Sequence, residues 1–127
     1  MARKIIAFVC GLVAWILVAS LLDRLLRLGL PGYAAAEPIM AFTLSMKWAR
    51  LALGALASLT AGFVVARVAP QGRRLPPILG VLVLVMFLPV HYSLWDKFPI
   101  WYHLVFLLTI VPLVLAGAWL GAPKEPR

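Results

Sequence analysis

The chain has 127 residues, of which 65% are hydrophobic and only 13% charged, and its formal net charge is +8. A soluble domain of this size would carry about a quarter charged residues, so the composition speaks against a water-soluble fold and makes lipid the solvent for most of the surface. The basic residues are spread between apolar runs, which suits anionic headgroups and not nucleic acid. The single cysteine, Cys10, leaves no partner for an intrachain disulfide and no cysteine metal centre.

The first apolar run, residues 5–22, holds no charge over 18 residues. That is close to the roughly 20 apolar residues needed to cross a hydrocarbon core of about 30 Å. It is longer than a signal-peptide apolar region, and Ser20-Leu21-Leu22-Asp23 is a poor cleavage context, so it reads as a retained span. Residues 23–48 form the one sizeable segment between runs and are expected outside the cytoplasm. Asp23, Arg24 and Arg27 share a helical face among leucines, the pattern of an interfacial amphipathic helix. Gly29 and Pro31-Gly32 should end it, and Pro38 suits the first turn of a second helical segment.

The second span, 49–68, is bracketed by Arg50 and Arg67. Their separation of 17 residues is about 25 Å of helix, so the two heads can snorkel to opposite interfaces. Between them Gly54, Ser58, Gly62 and Ala66 recur every four residues as a stripe of small side chains, which lets helix backbones approach closely in lipid. The plainer reading packs this stripe on another helix of the same chain, with Ala7, Gly11 and Ala14 of the first span as a suitable partner face. The functional reading makes it an oligomer interface.

The third and fourth spans, 76–95 and 99–120, contain Pro89 and Pro112, which are expected to kink their helices. The connections at 69–74 and 96–99 are short, so spans two and three, and three and four, are expected to be antiparallel neighbours. The tail from Ala122 to Arg127 reads as loose.

Polar and aromatic residues gather around the last connection: His91, Tyr92, Trp95, Asp96, Trp101, Tyr102 and His103, with Glu37, Arg50, Tyr33 and Trp48 at the same level. His91 and His103 each stand six residues from Lys97, so their imidazoles should be level and close across a hairpin. A metal or haem site would need more donors than Asp96 and Glu37 can add. The expectation is therefore an interfacial belt of rings with wet tips, carrying no metal and no cofactor.

No Asp or Glu falls inside any run, where an ion-coupled carrier would place one. No nucleophile triad, phosphate loop or histidine metal motif is present. Four spans would put Arg3, Lys4, Arg67, Arg73, Arg74, Lys124 and Arg127 on one side, and Arg24, Arg27, Lys47, Arg50 and Lys97 on the other. The richer side is expected to be cytoplasmic. The sequence thus points to an all-α, single membrane domain over 1–127, an up-down-up-down four-helix bundle in a bacterial inner membrane, N-in and C-in. Its expected role is a non-catalytic accessory or assembly partner that acts by helix packing, with membrane lipid, a membrane-protein partner or further copies of itself as contacts. An oligomeric small-molecule carrier or channel is the alternative, and a redox-cofactor subunit the third reading.

Overall fold

The structure, a computed structural model, describes residues 2–123 and is all-α over that range. The expected loose tail falls largely, at residues 124–127, outside the described residues, as do Lys124 and Arg127. Five α-helices follow in order: α1 (Ala2–Gly29), α2 (Tyr33–Ala36), α3 (Leu44–Val68), α4 (Leu75–Ser93) and α5 (Ile100–Gly121). Four of them, α1, α3, α4 and α5, are long and apolar enough to cross a membrane. Their outward faces carry exposed Val9, Ile16, Leu17, Leu108 and Trp119, a surface suited to hydrocarbon and not to water.

The helix boundaries follow from local chemistry. Pro31 and Gly32 occupy the middle of a turn in which the Tyr33 N–H donates to the Leu30 carbonyl at 3.1 Å. Gly32 sits at φ 82°, ψ −7°, the third-position geometry of a type II turn, which favours glycine. Thr43 caps α3 by accepting from the Met46 N–H at 3.3 Å. Pro76 stands in the first turn of α4, where its missing donor costs nothing. The chain remains helical through Pro89 and Pro112.

Two expectations are corrected here. The stretch Asp23–Leu28 is not a separate interfacial helix: α1 runs unbroken to Gly29. The connection to α3 is correspondingly short, and it holds α2 and a 3₁₀ turn, Glu37–Ile39, with Pro38 inside it. The reason is tertiary, because Asp23 and Arg27 have partners across the fold and are not left to an interface. The second correction concerns neighbours. α3 packs chiefly on α5 and α1 and touches α4 little, although only a short turn joins α3 to α4.

Glycines explain that choice. A side-chain carbon on Gly62 would strike the backbone of Val114 and Ala118, and one on Gly117 would strike the backbone of Leu59. α3 and α5 therefore meet backbone to backbone, each with a glycine at the contact. Gly54, Ser58, Gly62 and Ala66 are all buried, but the partner face for Gly54 and Gly62 is Phe106, Val114 and Ala118 of α5, not α1. On the adjoining face of α3, Ala61 and Val65 receive Gly11. α1 buries Ala7, Gly11 and Trp15, again one residue in four.

Candidate functional site

The short connection brings Tyr33 and Glu37 over one end of the bundle, where they meet α1, α3 and α5. Arg50, on the second turn of α3, is the centre. Its Nη1 donates to the Tyr33 hydroxyl at 2.7 Å and its Nε to the Tyr102 hydroxyl at 3.2 Å. The guanidinium lies 4.7 Å from the centre of the Phe42 ring, a cation–π arrangement. Asp23 Oδ1 and Glu37 Oε2 each stand 3.8 Å from Nη1. Tyr33 passes its own proton on, donating to Asp23 Oδ1 at 2.8 Å. Outside this core, half-exposed Arg27 pairs with Asp23 Oδ2 at 3.1 Å and, through Nε, with Glu37 Oε1. Four charges and two phenols thus pair with one another, with Glu37 Oε2 reached by Arg50 only at 3.8 Å. A partly buried ion cluster needs this, because removing one member leaves the others desolvated and unpaired.

Tyr33 is fully buried. Burial, and secondarily the hydrogen bond to Asp23, push its phenol above the ordinary value of 10.0, while the charge of Arg50 pulls the other way.

Eight residues deeper along both α1 and α3, about 12 Å, Trp15 Nε1 donates to Ser58 Oγ at 3.0 Å. Ser58 in turn donates to the Gly54 carbonyl at 2.8 Å. The Trp15 ring packs on Phe87, with ring centres 5.0 Å apart. Between this level and the Arg50 cluster lies a cavity of about 260 Å³. Asp23, Glu37, Arg50 and Ser20 supply its polar lining; Trp15, Phe87, Phe106 and Tyr102 supply rings, and Ala19 and Leu53 complete the wall. The small side chains of Ala19 and Ser20 leave this room. Ser20 and Asp23 also border an open cavity along the outer surface of α1, lined by residues of that helix alone, with Leu17, Leu21, Arg24 and Arg27.

The histidines form a separate group. His91 and His103 face each other with Nδ1 atoms 2.6 Å apart, as their level placement implied. They are not wet-tipped belt residues, however: His91 is 6% exposed and His103 0%. Trp95 stacks on His103 at 4.5 Å between ring centres, and His103 Nε2 lies 3.3 Å from the Trp95 carbonyl. That carbonyl can only accept, so His103 carries its proton on Nε2. Its Nδ1 is then an acceptor, and His91 Nδ1 must donate. One shared Nδ1 proton leaves the pair neutral, which suits burial.

The sequence-derived cluster therefore splits. Glu37, Arg50 and Tyr102 belong to the cavity, His91, His103 and Trp95 to the imidazole pair. Trp101 stacks on Trp48 at 5.3 Å. Asp96 and Tyr92 are exposed on the surface, and among the described residues neither is hydrogen-bonded to an imidazole. No set of three metal-ligating side chains occurs among the described residues. Asp23, Arg27, Ser20 and Trp15 were not among the expected site residues, and Tyr33, expected only at the same level, is a member of the cluster. A signal existed for Asp23, an acid at the end of an uncharged run, but apart from Arg27 one turn on, its partners lie 10 and 27 residues away in sequence.

Comparison with protein-family models, with curated proteins and with solved structures gave no match.

Proposed function

We propose that this chain is a four-span protein of a bacterial inner membrane, N-in and C-in, which works as a non-catalytic accessory protein by holding a small polar-headed ligand in the Arg50 cavity. The observation that carries the reading is the cavity itself: charged and aromatic side chains converge on about 260 Å³ of space within the bundle. Sites for small ligands are concave, mostly apolar and marked by a few convergent polar groups, and volumes start near 300 Å³, so the ligand portion held here is small. Ser20 is the one alcohol in the lining, and the imidazoles are not part of it, which supports binding over catalysis.

The crossing pattern is supported by contact pairs. Arg3 with Val68, Trp15 with Ser58 and Asp23 with Arg50 run in opposite order along α1 and α3. Tyr102 with Arg50 and Val114 with Gly62 run in the same order along α3 and α5, and His91 with His103 and Gly80 with Val111 in opposite order along α4 and α5. This favours an up-down-up-down course. The Lys/Arg division favours the Arg50 end as the outer one, and maleimide labelling of a cysteine at Lys97 only from inside cells would sink that orientation. The small-residue stripe is used within the chain, so assembly with a partner would use other faces.

The test is native mass measurement of the protein purified in mild detergent, alongside Ser20→Trp, which fills the cavity wall. A bound small molecule present in the parent and lost in the variant supports the reading. The same bound molecule in both, or none in either, with equal stability, refutes it.

A further inference from the structure

Resting on the binding reading above, we propose that the ligand is the headgroup of a zwitterionic aminophospholipid, with its ammonium in the Arg50 cavity and its phosphate on Arg24. Three observations meet at one point of α1. First, Ser20 and Asp23 line both the inner cavity and the outer one, so the two adjoin there and the inner space is entered from the side of the helix. Second, the charges are ordered. The outer cavity carries Arg24 and Arg27 with Asp23, whereas the inner one carries two carboxylates, Asp23 and Glu37, and a single cation, Arg50.

Arg50 is already committed to Tyr33, Tyr102 and Phe42. Glu37 Oε2 has Arg50 only at 3.8 Å, too long for a hydrogen bond. An ammonium N–H would supply that oxygen with a charge-assisted donor, and the aromatic wall favours a cationic head. Arg27 already pairs with both carboxylates from the other side, so the acceptor left for an incoming cation is Glu37 Oε2. Arg24, exposed and without an ion pair among the described residues, is free to take the phosphate. Third, Leu21 and Leu17 lie one and two turns below Arg24, 60% and 62% exposed, where acyl chains leaving the phosphate would run in the hydrocarbon. A phosphate outside, an ammonium two carbons further in and chains along α1 match this order of groups.

Free phosphoethanolamine offers the same charges without the chains. The experiment therefore uses the full chain in nanodiscs of phosphatidylethanolamine mixed with phosphatidylglycerol of identical acyl composition, followed by native mass measurement of the lipid retained after release into detergent. Phosphatidylethanolamine should be retained about tenfold over phosphatidylglycerol, the ratio that one charge-assisted hydrogen bond supplies. Arg24→Gln, an exposed site whose change leaves the fold intact, should lower the retention of phosphatidylethanolamine, and Glu37→Gln should remove the preference. Free phosphoethanolamine that binds as well as the lipid would overturn the lipid assignment. Equal retention of the two lipids by the parent chain would overturn the headgroup proposal while leaving the cavity reading in place, provided Ser20→Trp still sheds some other bound molecule. If Ser20→Trp sheds nothing, both fall.

Discussion

Gly62→Ala is the sharpest test of how the bundle is held together. The added carbon would overlap the Val114 carbonyl oxygen and stand 2.8 Å from the Ala118 nitrogen and the Val114 carbonyl carbon. These are backbone atoms of a continuous helix, so relief requires α3 and α5 to separate. Separation also opens the reciprocal contact of Gly117 with Leu59. Overpacking of a tight contact costs about 1–3 kcal/mol, and a rigid backbone neighbour puts this site at the top of that range. Alanine's better helix propensity returns up to about 1 kcal/mol, so the net loss should be about 2 kcal/mol. Gly54→Ala is the internal control. Its new carbon meets only the Phe106 ring, at 2.7 Å to Cε2, and a ring can turn aside, so the net loss there should be below about 1 kcal/mol. Equilibrium unfolding in mixed micelles gives both numbers. If Gly62→Ala stays within about 0.5 kcal/mol of the parent, the size of an ordinary surface change, or if Gly54→Ala loses more, the backbone contact between α3 and α5 is not what sets this interface.

Tyr33→Phe removes the hydroxyl that links Arg50 to Asp23 and should cost about 1–3 kcal/mol by leaving polar groups short of a partner. Because the folded phenol holds its proton more tightly than the unfolded one, its contribution is fully present below about pH 10 and declines as the pH rises further. Stability profiles of parent and variant should converge above that point, and tyrosinate absorbance in the folded parent should show a late-titrating component that the variant loses. A parallel offset of the two profiles at every pH would contradict the assignment. For the imidazole pair, nitrogen NMR should show His103 protonated on Nε2 and His91 on Nδ1. Two histidines with identical tautomers would show that the Nδ1 hydrogen bond is absent.

Local features of the chain were enough to reveal four apolar helices, the Pro31-Gly32 turn, the buried stripe of Gly54, Ser58, Gly62 and Ala66, and the meeting of His91 with His103. Hydropathy, turn chemistry and helical spacing are short-range properties, and each of these features depends on residues within one helix or one hairpin. Tertiary structure decided which helix fills which groove. The short turn between α3 and α4 suggested adjacency, but Gly62 and Gly117 allow α3 and α5 to approach more closely than any loop length implies. It also decided the fate of Asp23 and Arg27. Alone, their spacing among leucines describes an interfacial helix. In the fold, Arg50 and Glu37 supply their opposite charges, so the segment continues α1 and its carboxylate turns toward a cavity. The histidines' burial needed the structure as well, because the rings that cover them, Trp95 of the connection after α4 and Phe106 of α5, close over them only when α4 and α5 pack together.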